Sequence, residues 1–351
     1  MRVHLVDPAA YTPPYDRALA SALARAGAEV ELFTSRFDYG DVPAADGVTV
    51  REHFYRHALP GPRRFTRLAQ HVPDMLRYRR AARAADVVHF QWLSVQALDV
   101  HLLPNRHPRI LTAHDVLPRE PKPSQLAGQR RLYERMDAIV VHSEHGATRL
   151  RDELGLDPAK VHVIPHGILD NLAAVQPVPL FAKTKPVVLF LGLIRPYKGL
   201  DVLLDAWRQA RPDAELWVVG MPRMDTSFIH GPDVRTALRF VSGAELAGAF
   251  EAADLVVLPY REIDQSGVLF TALAFGKPLL LSSVGGFPEI EGAKLVPPGD
   301  ALALAQALST LLADPAELER MAAASRALAA GPYGWDGIAQ RTLALYEALQ
   351  A

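Results

Sequence analysis

Short hydrophobic runs alternate with amphipathic stretches along most of the chain, and the first three segments set the pattern. Residues 3–6 form an apolar run, an Ala- and Leu-rich stretch covers residues 15–26, and a second apolar run covers residues 30–34. Gly27 closes the middle stretch at the position where a glycine commonly ends a helix. The order strand, helix, strand predicts a βαβ unit and therefore a parallel sheet.

Four further apolar runs in the first half of the chain each end in polar residues. They cover residues 87–91, 110–112, 139–143 and 161–164. Because the carboxyl ends of parallel strands meet at one edge of a sheet, these polar ends predict a shared cleft. His114, beside Asp115 at one such end, is a candidate catalytic residue, since an imidazole titrates near neutral pH. The alternative is a histidine that only forms structural hydrogen bonds.

The loop after the first strand supplies a second set of candidates. Asp7, Tyr11 and Tyr15 lie at or just after the carboxyl end of that strand and are predicted to line the same cleft. A rigid Pro-Pro turn with surface tyrosines is the alternative. The loop lacks the G-x-G-x-x-G pattern of dinucleotide-binding folds, which counts against a nicotinamide-dependent enzyme.

A second α/β series follows a proline-rich boundary at residues 172–186. Its predicted strands cover residues 187–191, 215–219, 255–258 and 279–281, with helices at 200–210, 243–252, 302–313, 315–330 and 335–349. We therefore predict two consecutive α/β domains, residues 1–172 and 173–330, and a terminal segment at 331–351.

The segment at residues 258–289 carries candidate phosphate-binding chemistry. It reads as a strand end, a polar loop and a helix that begins near Gly267. The first turn of a helix offers free N–H groups and the positive end of the helix dipole, which suits a phosphate. The candidate phosphate-binding residues of this turn are Ser266, Gly267, Val268 and Leu269.

Two cations lie on a glycine-flanked loop earlier in the second half. Arg195 and Lys198 follow the predicted strand at residues 187–191. Two fixed cations opposite a helix N-terminus can neutralise a diphosphate without a metal ion. The alternative is a basic loop that binds nothing.

Composition narrows the class of protein. The chain has 351 residues, of which 49% are hydrophobic and 22% charged, with a formal net charge of −1. This balance predicts a globular chain and does not point to nucleic acid as a partner. The absence of cysteine excludes disulfides, Cys-ligated zinc and thiol nucleophiles. With no signal-like N-terminus and no apolar run near the roughly 20 residues of a membrane span, we expect a cytoplasmic protein.

One segment of the first half, residues 61–83, is strongly basic. Its arginines are Arg63, Arg64, Arg67, Arg77, Arg79, Arg80 and Arg83, against the single acid Asp74. Apolar residues recur in it at helical spacing, and Pro73 is expected to break the helix into two pieces. Such a segment either contacts an anionic membrane or anionic acceptor, or is a solvated helix face with arginine stems over apolar surface.

Four stretches together resemble a known family, the retaining glycosyltransferases of family four. They are FLGLIRPYKGLDVLLDAW from Phe190, AADLVVLPY from Ala252, ALAFGKPLLLSSVGG from Ala272, and residues 335–349. The resemblance runs essentially end to end. It implies the α/β GT-B fold, in which two Rossmann-like domains face a central cleft and a C-terminal helix crosses back to the first domain. It also implies a nucleotide-sugar donor in the second domain, an unidentified acceptor in the first, and no further cofactor or metal.

The resemblance assigns residues on the donor side. Lys198 matches the diphosphate-binding lysine of the family, and Arg195 is the candidate substitute for an arginine that the family usually carries where Leu193 stands here. Gly220 matches a strand-end glycine near the nucleotide. The segment at 239–242 resembles one that contacts the base, and the candidate nucleotide-binding residues within it are Phe240 and Val241.

The carboxylates of the family motif are displaced in this chain. Thr271 stands where the second Glu is expected, and it is predicted to bind a ribose hydroxyl. Ile263 stands where the first is expected, so its neighbours Glu262 and Asp264 are the candidate catalytic acids. In the same scheme His114 contacts the donor sugar, and Asp7, Tyr11 and Tyr15 bind the acceptor.

Three functions remain open from the sequence. The first is a retaining, metal-independent transfer of a sugar from a nucleotide-diphosphate sugar to a glycan, lipid-linked or small-molecule acceptor. The second is a nucleotide-sugar epimerase of the same fold. The third is a catalytically weakened nucleotide-sugar-binding protein, because a threonine replaces the expected acid at position 271. Peripheral contact with an anionic membrane through the Arg63 to Arg83 segment accompanies the first function as an expectation.

Overall fold

A computed structural model describes residues 1–38, 40–57, 63–93, 95–106, 108–117 and 123–351, without the side chains of Arg63, Arg64, Pro123 and Ser124. The chain divides into two compact units. The first comprises residues 1–167 together with 335–351, and the second comprises residues 168–334. The sequence placed these boundaries at 172/173 and 330/331.

The first unit is built on a parallel sheet. Its strands within the described residues are β1 (Arg2–Asp7), β2 (Glu29–Ser35), β3 (Val48–Phe54), β4 (Val87–Phe90), β5 (Arg109–Thr112), β6 (Ala138–Val141) and β7 (Val161–Val163). They pair in the order β3-β2-β1-β4-β5-β6-β7. Strands such as β4 and β6 are buried along their whole length, because helices cover both faces of a parallel sheet. The order reverses between β1 and β4, so loops leave this point in opposite directions.

Helices fill the connections of this sheet. They are α1 (Pro13–Arg25), α2 (Arg63–Ala81), α3 (Gln96–Leu102), α4 (Pro123–Glu134) and α5 (Glu144–Leu154). Helix α5 is capped at both ends, by the Ser143 side chain, which accepts from the Gly146 N–H, and by Gly155 in the left-handed conformation. Of these helices, the sequence predicted α1 and α2 but not α3, α4 or α5.

Helix α2 corrects the prediction for the basic segment. The helix runs through Pro73 without a break, where two pieces were expected. Pro73 and Ala69 both lie on the exposed side of the helix. Because proline leaves the carbonyl four residues earlier without its helical partner, the exposed side is where water can replace that partner.

The second unit repeats the architecture. Its strands are β8 (Val187–Leu191), β9 (Glu215–Val219), β10 (Val234–Ala237), β11 (Leu255–Leu258), β12 (Leu279–Ser282) and β13 (Lys294–Val296). They pair in parallel in the order β10-β9-β8-β11-β12-β13. The helices are α6 (Leu200–Ala210), α7 (Gly243–Ala252), α8 (Gly267–Ala274), α9 (Ala301–Leu312) and α10 (Pro315–Ala330). The strands β10 and β13 of this unit and β3 of the first unit were not predicted.

The last helix returns to the first unit. Helix α11 (Trp335–Gln350) packs against α1, and Arg25 of α1 forms an ion pair with Asp336 at 2.9 Å. At its other end the hydroxyl of Tyr346 lies 2.7 Å from Nδ1 of His89 on β4. The C-terminal helix therefore belongs to the core of the first unit, although 167 residues separate it in sequence from that unit. Among the described helices, none is long and apolar enough to cross a membrane.

Candidate functional site

The order of the second sheet reverses between β8 and β11, which makes the carboxyl ends of these two strands the natural place for a ligand. The loop after β8 leads into α6, and the loop after β11 leads into α8. Arg261 of the second loop joins them: its guanidinium binds the Asp201 carboxylate through two hydrogen bonds of 2.9 and 2.6 Å. Its backbone N–H also donates to the Tyr197 carbonyl at 2.7 Å. The two loops are thus fixed to each other.

Lys198 is the central cation of this arrangement. Its side chain is only 7% exposed, and its Nζ atom lies 5.0 Å from the centre of the Tyr260 ring. A Cβ atom placed on Gly192 would lie 2.6 Å from Lys198 Nζ and 3.3 Å from Cγ2 of Val268. The lysine ammonium and the first turn of α8 therefore converge on the space above Gly192. This is the arrangement that a diphosphate requires, with a cation and a helix N-terminus acting on one anion.

The first turn of α8 has backbone N–H groups that can donate to a ligand. Ser266 occupies the N-cap position and forms no side-chain capping hydrogen bond. The N–H of Leu269 already donates to the Ser266 carbonyl at 3.0 Å. Of the four predicted residues, Leu269 thus has a partner for its N–H, whereas the N–H groups of Gly267 and Val268 are open to an anion. The phosphate-binding role of all four residues stays a prediction.

Arg195 lies at the exposed edge of the same site. The preceding residue, Ile194, is fully buried and is bound through its backbone to Met221 and Arg223. Arg195 itself is exposed, and its guanidinium forms no hydrogen bond or ion pair with any described residue. The side chain can therefore bind a ligand without breaking an existing contact.

Gly220 contacts Gly192 through its backbone. Its φ is +137°, and a Cβ atom there would lie 2.0 Å from the Gly192 carbonyl oxygen. The end of β9 thus lies directly against the loop that carries Lys198. Any residue other than glycine at position 220 would push that loop away, which explains a glycine at this strand end.

The segment expected near the base is held by the start of α7. Ser242 and Glu245 form a capping box, and Glu245 also pairs with Arg239 at 2.6 Å. Between them Phe240 is 59% exposed and Val241 is buried. The ring of Phe240 is available to a ligand, whereas Val241 can act only through its backbone.

Thr271 and Ile263, which stand where the family motif has its two acids, have different surroundings. Thr271 is buried, and its hydroxyl donates to the Gly267 carbonyl at 3.0 Å, so only its oxygen lone pairs remain for a ligand. Ile263 is 8% exposed, while Glu262 is exposed and Asp264 half-buried. Both acids therefore lie outside the core that holds Ile263, and their assignment as catalytic acids stays a prediction.

In the first unit, Asp7 organises the loop that follows it. Its buried carboxylate accepts the N–H groups of Ala9, Tyr11 and Thr12 at 3.1, 2.5 and 3.4 Å. Burial and the neighbouring Asp7 carboxylate raise the pKa of Asp16 well above its ordinary value, so the two carboxyl groups share a proton. These contacts account for Asp7 as a structural residue, and its role towards an acceptor stays a prediction.

His114 belongs to a chain of buried rings. His142 Nδ1 lies 3.0 Å from the Ile164 carbonyl, which it can bind only as a donor, and His142 Nε2 lies 3.1 Å from His114 Nδ1. Burial lowers the pKa of His142 to about 4, so the ring is neutral and its Nε2 is an acceptor. His114 must then carry its proton on Nδ1, because that atom is the only donor left for the bond.

The hydrogen bonding of His114 also fixes the orientation of the Gln91 side-chain amide. His114 Nε2 is bare in this tautomer, yet it faces Gln91 Oε1 at 3.3 Å, while Gln91 Nε2 has no hydrogen-bond partner. Turning the Gln91 amide by 180° makes its nitrogen the donor to His114, which resolves both conflicts. Burial and the neighbouring His142 hold the pKa of His114 well below its ordinary value, so His114 is a neutral imidazole whose Nε2 accepts from the Gln91 amide.

A cavity of about 250 Å³ lies beside His114 in the first unit. Its polar and aromatic lining side chains include Tyr11, Gln91, Trp92, His114, Asp115 and Gln129. Tyr11 is 62% exposed and its ring lies 4.3 Å from that of Trp92, whereas Tyr15 is buried among the rings of His114, His142 and His166. The structure thus brings Tyr11 and His114 to one cavity but not Asp7 or Tyr15.

The sequence missed part of this lining. Gln91 and Trp92 directly follow β4, and the polar end predicted for this strand was the signal that could have identified them. Gln129 lies on α4, which was not predicted, so nothing placed it near His114. In the part of the chain that the structure describes, no group of three or more His, Asp or Glu side chains is arranged to hold a metal ion.

Comparison with known proteins adds to this geometry. Residues 17–171 match the family model for Glycosyltransferase Family 4, and residues 185–314 match the model for Glycosyl transferases group 1. A D-inositol 3-phosphate glycosyltransferase of Kineococcus radiotolerans is 31% identical over 93% of this chain and 88% of that protein. Its namesake from Xylanimonas cellulosilytica is 30% identical, over 93% and 89%.

Solved structures share the fold. Sucrose-phosphate synthase of Thermosynechococcus elongatus superimposes with a TM-score of 0.76 over 99% of both chains at 23% identity. The Anabaena protein Alr3699/HepE, solved with UDP and glucose, has a TM-score of 0.73 over 99% of this chain and 100% of that chain at 19% identity. The two parallel-sheet units are therefore those of the GT-B fold. With both family models matched and relatives of about 30% identity along nearly its full length, the chain belongs to the family 4 glycosyltransferases.

Proposed function

We propose that this glycosyltransferase moves a sugar from a nucleotide-diphosphate sugar to an acceptor hydroxyl, with retention of configuration and without a metal ion. The observation that carries the proposal is the convergence of Lys198 Nζ and the first turn of α8 on the space above Gly192. A diphosphate bound there would face one buried cation and two unused N–H groups. Arg195 would add a second cation from the exposed edge.

This arrangement favours departure of the diphosphate. Negative charge grows on the leaving oxygen as the bond to the sugar breaks, and donors already in position stabilise that charge without reorganising. Lys198 is suited to this task because burial keeps its ammonium near the anion and away from bulk water. A metal ion is not needed where fixed cations and a helix N-terminus do this work, and activity that persists in EDTA would support that step.

The sugar and nucleotide contacts extend from this centre. Glu262 and Asp264 are the acids within the loop before α8, and either would bind sugar hydroxyls. The Thr271 oxygen would accept a hydrogen bond from a ribose hydroxyl, since its own proton is held by Gly267. His114 would bind a sugar hydroxyl through Nε2 in place of the Gln91 amide, because its Nδ1 proton is held by His142.

The acceptor is proposed to be a small hydroxyl-rich molecule. The relatives at about 30% identity are named D-inositol 3-phosphate glycosyltransferases, and the cavity beside His114 has a suitable size and many amide and hydroxyl groups. A polyol matches such a lining, because each hydroxyl can donate and accept. Myo-inositol, D-inositol 3-phosphate and simple hexoses form the panel to be tried.

Nucleotide binding is the first test. Thermal unfolding is followed with UDP, GDP and ADP for the wild type and for Lys198→Ala. The matching nucleotide, at about 100 times its dissociation constant, should stabilise the wild type by about 2.7 kcal/mol. The same addition should have little effect on Lys198→Ala. If no nucleotide stabilises the wild type, or if both proteins respond alike, the proposed donor site is wrong.

Turnover distinguishes the three functions. With donor and acceptor present, mass spectrometry should detect the glycosylated acceptor, and NMR should show the anomeric configuration of the donor retained. An epimerase would convert the sugar nucleotide into a new one with no acceptor, whereas a transferase would give at most slow hydrolysis. Nucleotide binding without turnover across the panel would favour the weakened binding protein.

We also propose that α2 brings the protein to an anionic membrane. Phe65, Leu68 and Leu76 are 56%, 45% and 42% exposed on this helix, beside its arginines. An exposed apolar stripe with basic neighbours is typical of helices that lie in a membrane interface. Phe65→Ser with Leu68→Ser should abolish flotation with phosphatidylglycerol vesicles, whereas Leu302→Ser, which removes a side chain 60% exposed on α9, should not. Equal flotation of all three proteins would contradict the proposal.

A further inference from the structure

A second cleft lies in the first unit, apart from the cavity beside His114. Its volume is about 450 Å³, and it is lined by Leu76, Arg79, Arg80, Arg83, Asn105 and Arg106. Two separate segments form it: the C-terminal end of α2 with the turn that follows, and the loop after α3. None of these residues lines the cavity beside His114.

Few ion pairs and hydrogen bonds offset the charges of the four guanidinium groups in this cleft. Among the described residues, Arg80 and Arg83 have neither an ion pair nor a hydrogen bond, and Arg79 binds only the neutral Asn105 at 3.3 Å. Arg106 lies 3.6 Å from Asp86 and donates to the Ala85 carbonyl at 2.5 Å. The cleft therefore gathers four positive charges against one acid. Like charges held together repel, and an anion that enters between them relieves that repulsion.

A purely local explanation accounts for only part of this set. Basic residues stabilise the C-terminal end of a helix through its dipole, which explains arginines in the last turn of α2. It does not explain Arg106, which comes from a different segment and is directed to the same cleft by its bond to the Ala85 carbonyl. Convergence of two segments is what distinguishes a binding site from a basic helix face.

We propose that this cleft binds a phosphate-bearing anion. Guanidinium groups present planar pairs of donors that match phosphate oxygens, and several acting together suit a doubly charged phosphate. Leu76, 42% exposed at the rim, supplies one apolar wall for the remainder of the ligand. The phosphate can come from a soluble metabolite or from a phospholipid headgroup. The proposal does not depend on the proposed sugar transfer, since the donor site lies on the second unit.

Inorganic pyrophosphate is the soluble probe, measured by isothermal titration calorimetry on the full chain. All proteins carry Lys198→Ala, which removes the central cation of the proposed donor site and leaves the cleft intact. Adding Arg80→Ser and Arg83→Ser should weaken pyrophosphate binding by about tenfold or more, because each loses charged hydrogen bonds. Adding Arg131→Ser and Arg341→Ser instead, at exposed arginines of α4 and α11, makes the same charge change and should alter binding by less than about twofold.

A vesicle arm identifies the source of the phosphate. Phosphatidylcholine vesicles with and without phosphatidic acid are floated with the same proteins. Binding to phosphatidic acid that pyrophosphate displaces, and that the Arg80 and Arg83 substitutions abolish, supports a lipid headgroup. Pyrophosphate binding with no flotation that pyrophosphate displaces supports a soluble ligand, because flotation through Phe65 and Leu68 would not involve this cleft. The proposal is overturned if neither probe binds, or if the cleft and control variants bind equally.

Discussion

Gly199 packs its backbone directly against the carbonyl oxygen of Pro259. A Cβ atom on Gly199 would lie 2.0 Å from that oxygen, and its φ of +65° is one that residues with side chains rarely adopt. This contact joins the loop after β8 to the end of β11. The position of Lys198, one residue earlier, therefore depends on how closely this glycine packs.

Substituting Gly199 should displace the loop that carries Lys198. Gly199→Ala adds a methyl group where there is no space and forces a left-handed backbone, so we expect a loss of about 1–3 kcal/mol in the free energy of unfolding. Lys198 should move with the loop, and nucleotide affinity should fall. Urea denaturation and nucleotide titration measure the two effects.

Gly128→Ala is the matched control. Gly128 lies inside α4, and a Cβ atom there would meet nothing within 4 Å. Alanine is the better helix former, so this change should stabilise the protein by about 0.5–1 kcal/mol and leave nucleotide affinity unchanged. If Gly199→Ala behaves like Gly128→Ala, the contact with Pro259 does not position Lys198.

Removing the central cation should slow transfer. Lys198→Ala deletes one preorganised group from the diphosphate, and such a loss typically lowers kcat by about 100- to 1,000-fold. Lys294→Ala removes an exposed lysine of β13 and should transfer sugar at the wild-type rate. Steady-state kinetics with both variants compare the effects, and wild-type kcat in Lys198→Ala would remove the lysine from the diphosphate site.

Thr271 offers a sharper test of the substituted acid. Thr271→Val keeps the shape but removes the oxygen proposed to accept from a ribose hydroxyl, so nucleotide affinity should fall about two- to tenfold. Thr342→Val is a matched control, because Thr342 is also buried and donates to the carbonyl four residues earlier, at 2.8 Å. Both should lose similar stability, and only the first should lose affinity. If Thr271→Val and Thr342→Val bind the nucleotide with equal affinity, the Thr271 hydroxyl serves only the helix and does not contact the ribose.

The buried histidines predict a loss of stability in mild acid. Burial lowers the pKa of His142 to about 4 and that of His89 to about 3, from an ordinary value of 6.5. The unfolded chain therefore binds protons below pH 6.5 that the folded chain does not bind. The contribution of these neutral histidines to the free energy of unfolding is complete above pH 6.5 and is lost as the pH falls towards their pKa values in the folded chain. For His142 the loss is about 1.5 kcal/mol between pH 6.5 and 5.

The buried pair Asp7 and Asp16 acts in the opposite direction. Burial raises the pKa of both carboxyl groups above 3.8, so the stabilising contribution of their shared proton is present at low pH and is lost as the pH rises. One shared proton offsets only part of the effect of several histidines, and the net stability should fall on acidification. Urea denaturation from pH 7 to 5 measures the slope, which should be shallower in His142→Gln. A slope equal to that of the wild type would contradict this account.

The strands and glycines of the second unit were predictable because their signals are local. Buried parallel strands are continuous apolar runs, and β8, β9, β11 and β12 were predicted within two residues of their observed ends. The start of α8 and the loop that carries Lys198 were likewise predicted, because each belongs to the connection that follows such a strand. The GT-B fold implied by the resemblance is confirmed.

Helix α3 shows why other elements were missed. Its buried face carries Asp99, which is fully buried, lies 2.6 Å from His71 Nε2 and accepts the Val95 N–H at 2.8 Å. A buried carboxylate interrupts the apolar periodicity by which a helix is recognised in a sequence. Its partner His71 lies 28 residues away, so no local pattern reveals that the charge is compensated.

The sequence by itself determined the α/β series, the glycine-flanked loop with Arg195 and Lys198, and the helix that begins at Gly267, because each depends on residues close together in the chain. Only the tertiary structure decided what meets across long separations. It buried Asp7 and Tyr15, placed His114 beside Gln91, brought Arg106 to the arginines of α2, and set Lys198 beside Gly192 and Val268. The physical reason is that close packing selects neighbours in space, whereas a sequence pattern records only neighbours along the chain.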